Sequence, residues 1–476
     1  MNKQANFIFL FALFFTFQLS GQTEKDFTIG KEYVVKSEIL GQDRPILVYL
    51  PPNYDKKEKA YPVMYLLDGR GNFHHTTACV AFLARNGRIP EMIVIGVPNT
   101  DDRTRDLTPE TTIGKERFPT SGGAENMLSF IEKELIPYVN SKYRTETYKT
   151  LVGHSFGGLF VTHTLLHHPE IFNSYISISP SLWWDDQKMV KEQTDTFFEQ
   201  QQDLVGHLYM TMGDEGGSML GGAWKLVALL EEKSPQDFKW EFDLMEEETH
   251  GSIPHRSTYK GLEFIFSDWN LKKQEEFIVA EGIVAYEEKI AKIYGFEQEW
   301  DERTLSRMGQ MLSSKGHLDK AVPVFQKATV IEPKSERAWF LYGESLAKSG
   351  QKEKAIENLE KVLKINPKNM QAIVTLRSLG TAPESEIDNM KLSEEELKKY
   401  EGTYDVEIGL TAIMSVKDGA LKVSGKGIPE ETLFPIAEHT FFLSALNSKL
   451  IFNLKNDEVI GFKVESENGT FEAIKK

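Results

Sequence analysis

The stretch that decides the fold is Thr150–Leu151–Val152–Gly153–His154–Ser155–Phe156–Gly157–Gly158–Leu159. An apolar run ends at Gly153 and another begins at Leu159, so the pattern predicts a buried strand, a tight turn and a helix. Gly153 and Gly157 lack a Cβ atom, which lets the turn tighten until the Ser155 hydroxyl stands clear of the backbone. The following helix N-terminus favours developing negative charge. We interpret Ser155 as a candidate nucleophile; the alternative is a glycine-rich turn with a capping serine.

Short apolar runs alternate with amphipathic stretches on both sides of this turn. Their unbroken apolar character is typical of strands that helices cover on both faces, and the alternation predicts a mostly parallel sheet. We predict an α/β domain of the α/β-hydrolase type, which uses such a turn, over residues 27–272. The other predicted strands are residues 46–50, 63–67, 92–97, 174–179 and 208–212.

Residues 273–381 have continuous helical periodicity and an internal repeat. Residues recur 34 positions later, which resembles the tetratricopeptide repeat, a helix–turn–helix unit of that length. Two units are clear, and residues 370–379 are typical of a third first helix or a cap. Such repeats usually present a concave surface to a peptide or protein, so a protein partner is one hypothesis. The pairs are Leu305/Trp339, Gly309/Gly343, Leu312/Leu346, Gly316/Gly350, Ala321/Ala355, Ile331/Ile365 and Pro333/Pro367.

From residue 392 onward the period drops to two. Short alternating runs are separated by turn signals such as Asp418–Gly419 and Asn468–Gly469, which predict antiparallel hairpins. We predict a small antiparallel β-barrel or sandwich over residues 392–476.

The amino terminus has the layout of a secretory signal peptide. Residues 1–22 contain Lys3, then an apolar run of about a dozen residues, then the small or polar residues Ser20, Gly21 and Gln22. The run is short for a membrane-spanning helix, so we expect cleavage near Gly21 or Gln22, export to the periplasm or the medium, and no membrane span afterwards. The competing interpretation is an uncleaved anchor.

Composition excludes several classes of function. The 476 residues hold 55 Lys plus Arg and 71 Asp plus Glu, a net charge of 55 − 71 = −16, which argues against a nucleic-acid partner. The single cysteine, Cys79, excludes an internal disulfide and any cysteine-based metal site. Neither a metal nor an organic cofactor is implied.

A serine nucleophile at neutral pH needs a histidine base and an acid, and the α/β-hydrolase order is serine, acid, histidine. His250, in a loop before the last predicted helix, fits this order best, with His255 as its rival. The acid should follow the strand at residues 206–212. We predict Glu215, with Asp214 as the alternative. The remaining options are Glu246, Glu247, Glu248 or a dyad without a strong acid.

An oxyanion needs positioned N–H donors. The Phe156 amide, directly after the nucleophile, should be one donor. A second should come from the loop after the strand at residues 63–67, at Gly69 or Arg70.

Two further groups of residues are candidates for substrate binding. Trp183 and Trp184 follow another strand at the same edge, where they could form an aromatic wall; core packing of one of them is the alternative. Arg103 and Arg105 follow the strand at residues 92–97 and could meet an acidic or catechol-type substrate. Ion pairing with neighbouring aspartates is the alternative for both arginines.

Four motifs together resemble the esterase branch of the α/β-hydrolases. That branch includes esterase D (S-formylglutathione hydrolase), feruloyl and acetylxylan esterases, and the ferric enterobactin esterases. The tryptophan-containing motif and the expected export are most similar to the siderophore esterases. Residues 392–476 contain Tyr400–Glu401–Gly402–Thr403–Tyr404 near their start and finish in a Lys-rich end, and on these features they resemble the lipocalin-like domains attached to the C-termini of many bacterial exported hydrolases. The four motifs are Tyr65–Leu66–Leu67–Asp68–Gly69, Arg103–Thr104–Arg105–Asp106–Leu107–Thr108–Pro109, Gly153–His154–Ser155–Phe156–Gly157–Gly158 and Ser179–Pro180–Ser181–Leu182–Trp183–Trp184.

This resemblance implies an exported serine esterase that cleaves a carboxylic ester through an acyl-enzyme. It allows two substrate classes, an enterobactin-like siderophore ester and an acylated carbohydrate. The competing hypothesis is a catalytically idle hydrolase domain in an assembly protein whose helical repeats bind the partner.

Overall fold

A computed structural model describes residues 28–100, 102–381, 392–407, 409–426, 428–466 and 469–476. The predicted signal peptide, residues 1–22, lies outside this part of the chain. The chain divides into two compact units, one ending at Lys273 and the other beginning at Gln274. No helix within the described residues is both long and apolar enough to cross a bilayer.

The first unit contains an eight-stranded sheet in the order β1-β2-β4-β3-β5-β6-β7-β8. The strands from β4 to β8 in this order run parallel, whereas β1 and β2 join the β4 edge antiparallel. This confirms the predicted α/β fold with a mostly parallel sheet. The strands are β1 (Lys31–Ser37), β2 (Gln42–Tyr49), β3 (Tyr61–Leu67), β4 (Ile93–Val97), β5 (Thr145–His154), β6 (Ser174–Ile178), β7 (Gly206–Met212) and β8 (Phe238–Leu244).

Burial explains which strands the sequence revealed. Every residue of β3, β4, β6 and β7 is buried, because helices cover both faces of the sheet there. Strand β1 lies at the sheet edge with most of its residues exposed, so it has no apolar run and the sequence analysis missed it.

The helices of the first unit follow the strands in the alternation that the sequence predicts. A π-helical stretch, Ile131–Leu135, joins α3 to α4, so residues 124–142 form one long helical segment. The helices are α1 (Gly69–Arg85), α2 (Arg103–Leu107), α3 (Ala124–Phe130), α4 (Ile136–Lys142), α5 (Phe156–His167), α6 (Trp184–Lys188), α7 (Thr194–Gln200), α8 (Gly217–Lys233) and α9 (Ile253–Ile265).

The second unit begins with antiparallel helix pairs that include the predicted repeats. Small residues lie where the paired helices touch: a Cβ added at Gly309 would come within 2.5 Å of the Phe325 ring, and one at Gly343 within 2.8 Å of Leu359. Pro323 lies inside the helix Leu318–Ile331. The helices are α10 (Glu275–Glu281), α11 (Ile283–Tyr294), α12 (Glu302–Ser314), α13 (Leu318–Ile331), α14 (Glu336–Lys348), α15 (Lys352–Ile365), α16 (Met370–Ser378) and α17 (Glu394–Leu397).

The chain ends in a closed antiparallel barrel, so the prediction of a barrel or a sandwich resolves to a barrel. Strand β9 pairs with both β10 and β16, which closes the barrel and removes its sheet edges. Aromatic rings of Tyr404, Phe452 and Phe462 pack inside at centroid distances of 5.1 to 6.0 Å. The strands are β9 (Gly402–Val406), β10 (Leu410–Lys417), β11 (Ala420–Gly425), β12 (Ile428–Ala437), β13 (Thr440–Leu443), β14 (Ser448–Lys455), β15 (Glu458–Ser466) and β16 (Gly469–Lys475).

Candidate active site

Ser155 is the single residue between β5 and α5. Its backbone has φ 61° and ψ −115°, a conformation that is uncommon for a residue with a Cβ atom and costs on the order of 1–3 kcal/mol. The surrounding turn holds it there, since the Ser155 amide donates to the Ile178 carbonyl at 2.9 Å. The predicted strand–turn–helix arrangement is therefore present, with Ser155 at its apex.

The glycines beside Ser155 are required by close backbone approach. A Cβ atom at Gly153 would lie 2.3 Å from the Gly157 carbonyl oxygen, and one at Gly158 would lie 2.8 Å from the Ile178 carbonyl oxygen. Such distances leave no room for a side chain. The tight turn is thus built into the sequence motif.

His250 and Glu215 come together from two different loops. His250 lies in the turn between β8 and α9, and Glu215 lies in the loop after β7. The His250 Nδ1 atom is 2.7 Å from Glu215 Oε2. The Glu215 side chain is 9% exposed and that of His250 is 42% exposed, so the carboxylate is largely sheltered and the imidazole reaches solvent.

Glu215 is itself held in place by its neighbours. The Ser179 hydroxyl donates to Glu215 Oε1 at 2.6 Å, and the Gly213 amide donates to the same oxygen at 3.4 Å. Burial alone would raise the pKa of the Glu215 carboxyl, but hydrogen bonds from His250 and Ser179 outweigh it and hold the pKa below its usual value. The carboxylate is therefore ionised at neutral pH.

The alternative acids and the alternative base have other surroundings. Asp214 is exposed, Glu247 pairs with Arg256, and Glu248 accepts from Ser252 at 2.6 Å. His255 packs on His75, with ring centroids 5.5 Å apart. The fifth alternative, Glu246, is exposed.

His154 and Ser181 complete the surroundings of the candidate nucleophile. The Ser155 and Ser181 hydroxyl oxygens are 3.4 Å apart. The His154 ring packs against His250, with centroids 4.5 Å apart. Burial, followed by the neighbouring His250, lowers the pKa of His154 to about 4, so this imidazole is neutral at neutral pH.

The predicted oxyanion donors begin two helices. The Phe156 amide is the first of α5, and the amides of Gly69 and Arg70 belong to the first turn of α1, where N–H groups have no partner within the helix. A Cβ atom at Gly69 would lie 2.7 Å from the Val97 nitrogen, so only glycine fits there. The Arg70 side chain points elsewhere and pairs with Glu32 at 2.6 Å.

Trp183 and Trp184 belong to an aromatic cluster with Phe156 and Phe118. The six ring pairs of this aromatic cluster have centroid distances of 4.9 to 6.1 Å. Trp184 is buried and its indole N–H donates to the Pro109 carbonyl at 3.2 Å, whereas Trp183 is partly exposed. One tryptophan thus packs in the core while the other borders solvent beside the Ser155 turn.

The two predicted arginines form ion pairs. Arg103 makes a two-point contact with Asp68, at 2.5 Å and 2.9 Å, and also donates to the His154 carbonyl at 3.0 Å. Its guanidinium carbon lies 5.5 Å from the centre of the Phe156 ring. Arg105 pairs with Asp106 at 2.7 Å. Arg103 therefore links the Ser155 turn to Asp68. Asp68 is distant in sequence and is not one of the neighbouring aspartates that the sequence analysis considered for Arg103.

Sequence reasoning missed three contributors to this site. Asp68 and Ser179 entered the sequence analysis only as members of motifs or of a predicted strand, without a role in the site, and Phe118 did not enter it at all. Asp68 and Ser179 both have positive φ, 53° and 38°, so each is an unusual backbone position that no periodicity predicts. Within the described residues, no group of three His, Cys, Asp or Glu side chains could hold a metal ion.

Comparison with known proteins gives the families that the two parts of the chain match. Residues 37–252 match the family model described as "Putative esterase", and residues 302–335 and 336–369 match models of the tetratricopeptide repeat. The ferri-bacillibactin esterase BesA of Bacillus subtilis is 35% identical over 201 residues, which cover 38% of this chain and 69% of that protein. The siderophore enterobactin esterase of Emericella nidulans is 34% identical over 159 residues, which cover 29% of this chain and 52% of that protein.

A solved structure agrees with the fold. The IroE-like serine hydrolase from Shewanella oneidensis superposes with a TM-score of 0.54 at 25% identity, covering 63% of this chain and 99% of the other. The parallel sheet, the Ser155 turn and these similarities define an α/β-hydrolase. The chain belongs to the esterase family of these hydrolases, joined to tetratricopeptide repeats, and is a carboxylic ester hydrolase.

Proposed function

We propose that this protein is a serine esterase that works through an acyl-enzyme, with Ser155, His250 and Glu215 as its catalytic residues. The observation that carries the proposal is the 2.7 Å contact between His250 Nδ1 and Glu215 Oε2. The His250 ring also packs on His154, the residue directly before Ser155, which lies at the apex of a strained turn. The contact with Glu215 fixes the proton on Nδ1 and leaves Nε2 as the basic nitrogen.

Each residue then has one task in the reaction. Ser155 Oγ attacks the ester carbonyl as His250 Nε2 removes its proton, and His250 returns that proton to the departing alcohol. Water then attacks the acyl-enzyme with the same histidine as base; the bond between the acyl carbon and Ser155 Oγ breaks, the carboxylic acid leaves, and His250 returns the proton to Ser155 Oγ. Glu215 stabilises the imidazolium in both halves. The amides of Phe156 and of Gly69 or Arg70 are proposed to hold the oxyanion.

For the substrate, we favour a siderophore ester. BesA is named a ferri-bacillibactin esterase and the Emericella protein a siderophore enterobactin esterase, and both are at least 34% identical to this chain over the aligned parts. The aromatic cluster beside Ser155 suits a substrate that carries aromatic rings, and the Arg117 guanidinium over the Phe118 ring favours negative charge on that substrate. An acylated carbohydrate is the alternative substrate.

The test is hydrolysis of a panel by the wild-type protein and by Ser155→Ala. The panel contains p-nitrophenyl acetate and butyrate, methyl ferulate, acetylated xylan and a ferric tri-catecholate lactone. We expect the lactone to be the preferred substrate and Ser155→Ala to lose turnover while remaining folded. Ser141→Ala is the matched control, because Ser141 is exposed on α4 and bonds only locally to the Tyr138 carbonyl.

Two other results would change this conclusion. If Ser155→Ala hydrolyses an ester at the wild-type rate, Ser155 is not the nucleophile. Folded wild-type protein with no turnover on any ester would favour the idle-domain hypothesis and a role for the repeats in binding a protein.

We also propose that the protein is exported. The support is the charged, apolar and small-residue layout of residues 1–22. Expression of the full chain followed by cell fractionation should recover activity outside the cytoplasm in a form shortened by about 20 residues. Full-length protein confined to the cytoplasm would contradict this proposal.

A further inference from the structure

The loop between α2 and α3, residues 108–123, contributes Phe118 to the aromatic cluster beside the Ser155 turn. The Phe118 ring lies 6.0 Å from Trp183, 4.9 Å from Trp184 and 5.9 Å from Phe156, measured between centroids. Phe118 therefore joins the aromatic cluster only when this 108–123 loop is held against the segment after β6, whereas Phe156, Trp183 and Trp184 contact one another without it.

Asp185 holds the 108–123 loop in that place. Its Oδ1 atom accepts four hydrogen bonds from the loop: the Thr111 hydroxyl at 2.8 Å, the Thr112 amide at 2.8 Å, the Thr112 hydroxyl at 3.1 Å and the Ile113 amide at 3.2 Å. The Ile113 side chain is 71% exposed, so burial of that side chain does little to hold this end of the loop. A carboxylate that accepts backbone amides is one of the stronger hydrogen-bonding arrangements.

The short element α6 is not a regular right-handed helix, because its backbone is non-helical from Asp185 to Gln187. Asp185, Asp186 and Gln187 all have left-handed conformations, with φ values of 47°, 55° and 64°. Residues with a Cβ atom avoid this region, and runs of them persist only where surrounding contacts hold them. The turn directs the Asp185 carboxylate at the 108–123 loop immediately after Trp184. One short segment thus carries both the tryptophans and the contact that brings Phe118 to them.

Two arginine guanidinium groups lie over rings of the aromatic cluster. The exposed Arg117 guanidinium lies 5.1 Å from the centre of the Phe118 ring, and Arg103 lies 5.5 Å from that of Phe156. Asp68 already pairs with Arg103, so the exposed Arg117 beside Phe118 is the cation that favours a ligand combining an aromatic face with negative charge.

We propose that Asp185 is a positioning residue that latches the 108–123 loop so that Phe118 completes a binding wall for an anionic aromatic group of the substrate. This inference rests on the proposed esterase function and extends it to a specificity determinant. Asp185 touches no reacting atom; it acts through Phe118.

The test compares Asp185→Asn with Asp186→Asn. Asparagine keeps the size of the side chain and tolerates left-handed backbone, so Asp185→Asn removes mainly the charge. Asp186 has the same backbone conformation, but its carboxylate pairs only locally with Lys191, which makes it the matched control.

The first measurement is amide hydrogen exchange of the full chain. Peptides covering residues 109–118 should exchange faster in Asp185→Asn and not in Asp186→Asn, because the Thr112 and Ile113 amides lose a charged acceptor. Unchanged exchange in Asp185→Asn would overturn the latch.

The second measurement is the Kd of the ferric tri-catecholate lactone for both variants in the Ser155→Ala background. Quenching of tryptophan fluorescence reports the binding. We expect Kd to rise about tenfold in Asp185→Asn and to stay within about twofold in Asp186→Asn. An equal Kd in both would overturn the role in the wall. This measurement needs no turnover. If the wild-type protein hydrolyses no ester but the two variants still differ in Kd, the esterase proposal is refuted and the binding wall stands.

The third measurement separates specificity from general damage. With Ser155 present, Asp185→Asn should raise KM for the lactone and leave kcat for ethyl acetate, a ring-free ester, unchanged. A parallel loss on both esters would mean that Asp185 serves only the fold.

Discussion

Glu215 is held by contacts that favour its ionised form. His250 and Ser179 each approach one of its two carboxylate oxygens, at 2.7 Å and 2.6 Å, while nine-tenths of the side chain is shielded from solvent. In the proposed mechanism, an ionised carboxylate in this place stabilises the imidazolium that forms during each proton transfer. Ser179 reaches it because its backbone has φ 38° at the end of β6.

At the residue scale, we predict that Glu215→Gln lowers kcat by about 10²–10⁴-fold with little change in KM. The amide keeps the shape and the Ser179 contact but removes the charge and allows the other tautomer of His250. The measurement is steady-state kinetics on the best ester of the panel. Asp214→Asn, one residue away and exposed, should retain wild-type kcat. A larger loss in Asp214→Asn than in Glu215→Gln would exchange their roles.

At the scale of elements, the repeat helices pack through glycines that leave no space for a methyl group. Helix propensity alone favours alanine over glycine by about 1 kcal/mol in a helix interior. At Gly309, however, a Cβ would lie 2.5 to 2.8 Å from three atoms of the Phe325 ring, which is itself buried. Packing therefore opposes propensity at this position.

We predict that Gly309→Ala destabilises the protein by about 1–3 kcal/mol, because the Phe325 ring has to move. Ser314→Ala, at an exposed position of the same helix, is the control and should be neutral or slightly stabilising. Chemical denaturation measures both. A more stable Gly309→Ala protein would show that propensity outweighs packing and that α12 and α13 can separate slightly at no cost.

At the scale of the whole molecule, buried neutral histidines make stability depend on pH. Burial, as the main cause, lowers the pKa of His75, His154 and His207 to about 4, from the usual value of about 6.5. Between these values the unfolded chain binds protons that the folded chain does not. Stability from these groups is therefore complete above about pH 6.5 and is lost as the pH falls towards 4.

We predict that Tm decreases between pH 7 and pH 4.5, and that His207→Gln shows a smaller decrease than the wild-type protein. His207 is the suitable probe because it is buried away from the Ser155 site, beside the Tyr148 hydroxyl. Calorimetry of the full chain at several pH values measures the difference. His74→Gln, at an exposed position, should decrease in parallel with wild type. Identical pH slopes for all three proteins would contradict the prediction.

Local sequence determined a large part of this protein. The apolar runs predicted most strands of the central sheet because helices bury both of their faces, and the 34-residue period identified the repeats because neighbouring units must use the same contacts. The Ser155 turn was also predictable, since Gly153 and Gly157 lie next to it in the chain and meet within the turn.

Tertiary structure decided what depends on residues distant in the chain. The contact of Glu215 with His250 joins residues 35 apart, that of Asp68 with Arg103 joins residues 35 apart, and those of Asp185 with the 108–123 loop join residues 72 to 74 apart. These pairs come together through the order of the strands, the left-handed backbone at Ser179 and Asp185, and the folding of loops onto the sheet. No periodicity along the chain records such contacts, because they arise only when separate elements pack in three dimensions.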